Sequence, residues 1–126
     1  MKIQDQLQQF LDATPAASLA AFGDLSSNLI LNWSSRTACP RETLDLLGEK
    51  ASACFALFQP ETLPPGVDTA VFAASVVHFT ERSSHVFARW PSDAEDVVCV
   101  TGAPGARLEP LLQASLVLAD KIAGGP

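Results

Sequence analysis

The sequence has few basic residues, few cysteines and no long apolar run, and each scarcity excludes a class of protein. Its 126 residues include only 8 Lys and Arg against 14 Asp and Glu, which gives a net charge of −6. The few basic residues are scattered along the chain. Because phosphate binding needs clustered Lys and Arg, we expect neither a nucleic-acid nor a membrane partner.

The lack of a long apolar run also bears on location. No run approaches the roughly 18 residues that a membrane-spanning helix needs. The N-terminal stretch MKIQDQLQQFLD has Gln and Asp where a signal peptide would be continuously apolar. We therefore expect a cytoplasmic protein. Cys39, Cys54 and Cys99 are irregularly spaced and odd in number, so they fit neither a disulfide framework nor a zinc site, and we expect reduced thiols.

What is present supports one packed domain over residues 1–126. The chain is 48% apolar and 17% charged, a balance typical of a globular core. Apolar periodicity and turn residues predict three helices and five strands. The helices are expected at 3–12, about 40–58 and 108–123, and the strands at 17–23, 29–35, 70–80, 85–90 and 97–101.

This order, α-β-β-α-β-β-β-α, predicts an α+β fold with a five-stranded antiparallel sheet. The two terminal helices would cover one face of the sheet, so the middle helix must lie on the other face. Strict alternation in the second strand predicts that its side chains divide between the two faces. One face would carry Leu29, Leu31 and Trp33, and the other Ile30, Asn32 and Ser34.

Three stretches give this order a family resemblance. AAFGDLSSNLILNWSS looks like a first hairpin, HVFARWPSDAEDVVCVTGAPGARLEPLLQ like the last two strands, loop and helix, and the middle helix lies between them. Together they resemble the roadblock (dynein light chain) family, which is related to the longin and profilin-like folds. The chain departs from that pattern in its proline-rich linker at 59–68 and in Leu25-Ser26-Ser27, where the family often has glycine. The resemblance implies a dimer that scaffolds or regulates partners, among them small Ras-like GTPases.

Several residues could in principle carry chemistry. Cys39 precedes Pro40 at a predicted helix start, where a thiol can be activated, but no histidine lies near it in sequence. His78 and His85 flank a tight predicted turn and could begin a metal site, although no further ligands are evident. We interpret the cysteine as a residue of the helix-entry loop and the histidines as strand residues.

Two further patterns have equally plain interpretations. The segment GAPGAR before the last helix could cradle an anion, but it lacks the Gly-Lys-Ser/Thr ending of a phosphate loop. Asp45 and Glu49 lie four residues apart beside Lys50, which indicates a solvated helix face. We therefore predict no catalytic residue, no cofactor and no metal, and hence no enzyme.

The middle helix, ETLDLLGEKASACFALF, has more apolar residues than packing on one sheet requires. The strand AVFAASVV is likewise apolar on both faces, and an unpaired edge of that kind invites another strand. We interpret the excess as a homodimer or partner interface; the alternative is that the linker covers it. The predicted interface residues are Leu44, Leu46, Leu47, Ala53, Phe55, Leu57, Val71, Ala73 and Ser75.

Three functions remain open at this stage. The first is a non-enzymatic homodimeric module that scaffolds or regulates a partner, with a small Ras-like GTPase as the expected class. The second is a secretion chaperone for an unfolded effector segment, although such chaperones usually have three strands before the middle helix. The third is a small-molecule sensor with a pocket between sheet and helix.

Overall fold

The computed structural model describes residues 2–57, 75–79, 84–89, 95–103 and 105–123. The helices within these ranges are α1 (Ile3–Ala13), α2 (Arg41–Leu57) and α3 (Leu108–Ala123). The strands are β1 (Ala17–Asp24), β2 (Leu29–Ser35), β3 (Ser75–Phe79), β4 (Ser84–Ala88) and β5 (Asp96–Gly102). The predicted α+β class is confirmed. In the described part of the chain, no helix is both long and apolar enough to cross a membrane.

The strands form one antiparallel sheet in the order β2-β1-β5-β4-β3. The last strand of the chain, β5, therefore lies in the middle of the sheet, between the first hairpin and the second. The third strand was predicted over 70–80, and its described part is Ser75–Phe79. Residues 70–74 and the 59–68 linker lie outside the described residues.

Helices α1 and α3 cover one face of the sheet. Helix α1 buries Leu7 and Leu11 completely or nearly so, with Ile3 and Phe10 packed at the margin of the same core. Removing such side chains from water is the main favourable term in folding, about 25 cal/mol for each Å² of apolar surface. Helix α3 adds Leu111, Ser115, Leu118 and Ala119 to the same core.

Helix α2 covers the opposite face. Its buried residues pack with Leu19 and Ala21 of β1, Ile30 of β2, Phe87 of β4 and Cys99 of β5. Because β1 is therefore covered on both faces, six of its eight residues are buried. This double burial explains why ASLAAFGD is an apolar run rather than an alternating strand.

A β-bulge changes the faces of β2. Phe22 pairs with Asn32 and Gly23 pairs with Ile30, so Leu31 has no partner in the register. An unpaired residue of this kind bends the strand and moves the residues beyond it to the other face of the sheet.

The predicted sharing of faces in β2 is therefore wrong. Ile30 packs under α2, whereas Ser34 donates its hydroxyl hydrogen bond to Gln8 of α1 on the opposite face. Trp33 pairs with Ala21, which belongs to the α2 side, while Leu29 lies on the α1 side. Strict alternation, on which the prediction rested, holds only up to the bulge.

Candidate functional site

Three of the predicted interface residues belong to the core. Leu44, Leu47 and Phe55 are 0%, 5% and 4% exposed, and all three pack against the sheet. They lie on the stripe of α2 that a helix must bury when it covers a sheet. This corrects their assignment to an interface, because side chains packed against the sheet leave too little surface for a second chain to cover.

The second stripe of α2 is open. Leu46 is 62% exposed, and Ala53, seven residues further along the same face, is also exposed. Leu57 ends the helix, and its side chain lies outside the described structure. The excess of apolar residues that the sequence shows therefore resolves into one buried stripe and one accessible stripe.

The predicted edge strand is represented by β3. It is the outermost strand on its side of the sheet, and its described residues pair only with β4, with Ser75 opposite Ala88. Val71 and Ala73, the other two predicted interface residues of this segment, lie outside the described residues. Helix α2 also contacts β3, the outermost strand on this side of the sheet.

The charged face of α2 is solvated, as its pattern indicates. Arg41 and Asp45 form a salt bridge of 3.1 Å between Nε and Oδ1, with both side chains about half exposed. The Arg41 guanidinium also lies 5.8 Å from the centre of the Trp33 ring. Glu49 is exposed on the same helix. An exposed pair of this kind contributes at most about 1 kcal/mol.

A cleft of about 420 Å³ opens beside the accessible stripe of α2. It lies between residues 43–50 of α2, the 37–40 loop and the neighbouring ends of β1, β2, β4 and β5. The lining residues include Ser18, Thr43, Leu46, Lys50, His85 and Thr101. These residues come from distant parts of the sequence, so no local sequence motif predicts the cleft. The one feature of the sequence that could have indicated the cleft is Lys50, which lies on the same face of α2 as Leu46.

The thiols show no activation. Burial raises the pKa of Cys39 and of Cys54, although Lys50 partly offsets the shift at Cys54. Burial raises the pKa of Cys99 to about 12. A thiol with a raised pKa carries less of the nucleophilic thiolate. Cys39 lies in the cleft as an ordinary residue of the helix-entry loop.

The two histidines lie opposite each other on the paired strands β3 and β4. His78 lies directly opposite His85 in the register of β3 and β4. The Nδ1 atom of His85 is 3.0 Å from Oγ1 of Thr101, and its ring stacks with Phe87 at 6.1 Å between centroids. Among the described residues, no three His, Cys, Asp or Glu side chains come together as a metal site would require.

The glycine-rich segment before α3 is a turn. Gly105 has a φ of +78°, a backbone conformation that glycine adopts without strain. The Ala106 amide donates to the Ala103 carbonyl at 3.0 Å and closes the turn. This agrees with the interpretation that the segment supplies backbone geometry between β5 and α3.

Comparison with other proteins rests on structure. No family model matches the chain, and no curated protein is similar to it in sequence. A Roadblock/LC7 domain from Streptomyces avermitilis has a TM-score of 0.74 at 12% identity, over 98% of this chain and 97% of that one. A solved MglB with a tetrameric arrangement has a TM-score of 0.63 at 20% identity, over 94% and 85%.

The likeness extends to profilins. The profilin of Schizosaccharomyces pombe has a TM-score of 0.59 at 13% identity and covers 98% of both chains. At such identities the likeness concerns the course of the backbone, and functional residues cannot be carried over from it. The comparisons confirm that this chain has the roadblock/profilin-like fold that its sequence predicts.

Proposed function

We propose that the chain is a non-enzymatic, homodimeric interaction module that scaffolds or regulates another protein in the cytoplasm. The proposal rests mainly on Leu46, which is 62% exposed on a helix whose other leucines at 44 and 47 are buried. Covering a side chain of this size contributes about 1.5–3 kcal/mol. A single leucine is a modest gain for one subunit, but a two-fold axis would use it twice.

The rest of the stripe suits the approach of a second helix. Leu46 and Ala53 lie two helical turns apart, and the small Ala53 side chain would let a partner helix come close at one end. Leu46 could then fill the space opposite Ala53 in the other subunit, as ridges fill grooves between packed helices. A two-fold arrangement makes both contacts at once.

The sheet edge supports the same arrangement. An outer strand presents unpaired N–H and C=O groups that a second strand can satisfy. Two β3 strands paired about the same axis would continue the sheet from one subunit into the next. A solved MglB of similar fold has a tetrameric arrangement, which supports the proposal that copies of this chain associate.

The class of partner comes from the family resemblance. Members of the roadblock family often bind small Ras-like GTPases, and we propose such a GTPase as the partner of this chain. The chain itself has no Gly-x-x-x-x-Gly-Lys-Ser/Thr segment with which to hold nucleotide phosphates. We therefore propose that it acts on a GTPase without hydrolysing GTP.

The test is direct binding to purified Ras-like GTPases from the same organism. Each GTPase would be loaded with GDP or with a non-hydrolysable GTP analogue and titrated into the chain by calorimetry. We expect micromolar or tighter binding to at least one GTPase, with a preference for one nucleotide state. GTP turnover by the chain alone, or no binding to any of them, would refute the GTPase proposal. Binding instead to an unfolded segment of a secreted effector would favour the chaperone function.

A further inference from the structure

The cleft beside α2 has the lining of a ligand site. Its volume of about 420 Å³ is within the range of small-molecule pockets, which are about 300–1,000 Å³. The exposed Leu46 and the nearly buried Leu19 and Leu47 supply the apolar wall, and the lining also includes the hydroxyl-bearing residues Ser18, Thr43 and Thr101. The Ser18 hydroxyl itself donates to the Thr101 carbonyl at 3.3 Å. An apolar wall with a few converging polar groups is the usual make-up of such a site.

The lining of the cleft is positively charged, although the protein as a whole is negatively charged. The chain has a net charge of −6, yet the charged side chain among the described lining residues is the Lys50 ammonium, accompanied by the His85 imidazole. The acidic residues Glu42, Asp45 and Glu49 lie on the same helix but do not line the cleft. Among the described residues, Lys50 forms no ion pair. The cleft therefore offers a positive charge that the described structure does not neutralise.

Other polar groups at the cleft could position a bound anion. Thr43 precedes Leu47 by one helical turn, and its hydroxyl forms no hydrogen bond within the described structure. The Thr101 hydroxyl lies 3.0 Å from His85 Nδ1, which fixes the orientation of that ring beside the cleft. The beginning of α2 lies at the same place, and a helix N-terminus adds partial positive charge.

We propose that this cleft binds a small organic anion with an apolar body. Its negative group would pair with Lys50 and accept a hydrogen bond from Thr43, while its apolar part would lie against Leu46 and the small exposed edges of Leu19 and Leu47. Leu46 borders both the cleft and the accessible stripe of α2, so a bound anion would lie next to the proposed dimer interface. The binding site itself rests on the cleft and does not require the dimer.

The probe is 2-naphthoate, an aromatic carboxylate of suitable size, with the neutral 2-naphthamide as its isosteric control. Titration followed by amide NMR locates the site. We expect saturable shifts at amides around the cleft, such as those of Thr43 and Thr101, and binding of the neutral amide at least tenfold weaker. Shifts confined to another surface, or equal affinity for both probes, would overturn the proposal.

Two matched variants test whether the positive charge of Lys50 binds the anion. Lys50→Gln should weaken naphthoate binding at least tenfold and leave naphthamide binding unchanged. Lys121→Gln makes the same change of charge on α3, away from the cleft, and should bind naphthoate like the parent. Equal naphthoate affinity in Lys50→Gln and the parent would overturn the role of Lys50. The NMR spectra themselves report whether each variant is folded.

The same samples separate this inference from the proposed function. Light scattering on the parent and on Lys50→Gln gives the molecular mass with and without naphthoate. Saturable binding at the cleft by a monomer would leave the ligand site standing while refuting the dimer. A dimer without naphthoate binding would refute the ligand site alone.

Discussion

Gly48 of α2 lies directly against the backbone carbonyl of Asn28 in the turn between β1 and β2. A β-carbon built on Gly48 would overlap the Asn28 carbonyl oxygen. One helical turn later, the Ser52 hydroxyl donates to the Leu25 carbonyl at 3.1 Å, so two successive turns of α2 hold the same loop. Asn28 itself has a φ of 59°, a left-handed conformation that asparagine tolerates better than most residues.

Gly48→Ala should therefore destabilise the protein. In an ordinary exposed helix the change would add about 1 kcal/mol of stability. Here the new methyl group would push α2 away from the turn, and overpacking of this kind costs about 1–3 kcal/mol. Urea unfolding measures the difference. Glu49→Ala changes the next residue of α2, whose side chain is exposed, and is the control. It should change the free energy of unfolding little. A Gly48→Ala protein more stable than the parent would contradict the close approach.

Arg36 closes the end of α1. Its Nε donates to the Ala17 carbonyl at 2.7 Å, and its Nη2 donates to the Thr14 carbonyl at 3.0 Å and also to that of Leu11. Residue 11 lies in the last turn of α1, where carbonyls lack helical partners and the helix dipole favours a cation. The guanidinium therefore ties α1 to the start of β1.

Arg36→Ala should lower the free energy of unfolding by about 2 kcal/mol, because charged hydrogen bonds contribute about 1.5–3 kcal/mol each before solvent exposure reduces them. Arg36→Lys should recover less than half of the loss, since one ammonium cannot reach three carbonyls in a fork. Arg107→Ala removes an exposed arginine before α3 and is the control. Equal stability of the Arg36→Ala and Arg107→Ala proteins would show that this end of α1 needs no arginine.

Asp24 makes the stability of the fold depend on pH in the acidic range. The Ser26 hydroxyl at 2.8 Å, the Ser26 amide at 3.0 Å and the Ser27 hydroxyl at 3.2 Å donate to its carboxylate and lower its pKa below 3.8. Because the folded pKa lies below the unfolded one, the carboxylate stabilises the fold above pH 3.8. That contribution is lost as the pH falls from 3.8 through the lower folded value.

Asp24→Asn should consequently flatten the fall in melting temperature below about pH 4, where the parent loses its carboxylate. Thermal unfolding by circular dichroism from pH 6 to pH 2.5 measures the slope. Asp5→Asn, on the exposed side of α1, is the matched control and should keep the slope of the parent. Identical slopes for the parent and Asp24→Asn would mean that the turn does not depend on the carboxylate.

Much of the fold could be predicted from the sequence because its helices have strong periodicity. The predicted helix at 3–12 is Ile3–Ala13, and the one at 108–123 is Leu108–Ala123. The faces of β2 could not be predicted, because the bulge at Leu31 has no signal in the sequence around it. Gly48 illustrates the same limit: the pattern shows that a helix tolerates it, and only the contact with Asn28 shows why it is needed.

The candidate site was harder to predict than the fold. The sequence shows that α2 has surplus apolar residues, but it does not show which of the predicted interface residues are buried against the sheet. The structure assigns Leu44, Leu47 and Phe55 to the core and leaves Leu46 exposed. The cleft was not predictable in detail, since it joins Ser18, Lys50 and Thr101 from three distant segments.

The accessible stripe of α2 leads to the last prediction. We expect the protein to be a dimer at micromolar concentration, and we expect Leu46→Glu to make it a folded monomer. An unpaired carboxylate buried in an interface costs several kcal/mol, and each tenfold loss of affinity needs only about 1.4 kcal/mol. Because Leu46 is 62% exposed within one chain, the substitution should leave the free energy of unfolding of the monomer nearly unchanged.

Light scattering measures the mass, and circular dichroism shows whether the variant is folded. Glu49→Lys changes a charge on the exposed side of the same helix, three residues further along, and should remain a dimer. A monomeric parent would mean that the stripe serves some other contact or is simply solvated. A folded dimer of Leu46→Glu would place the dimer contact elsewhere, and the outer edge of β3 would then be the next surface to test.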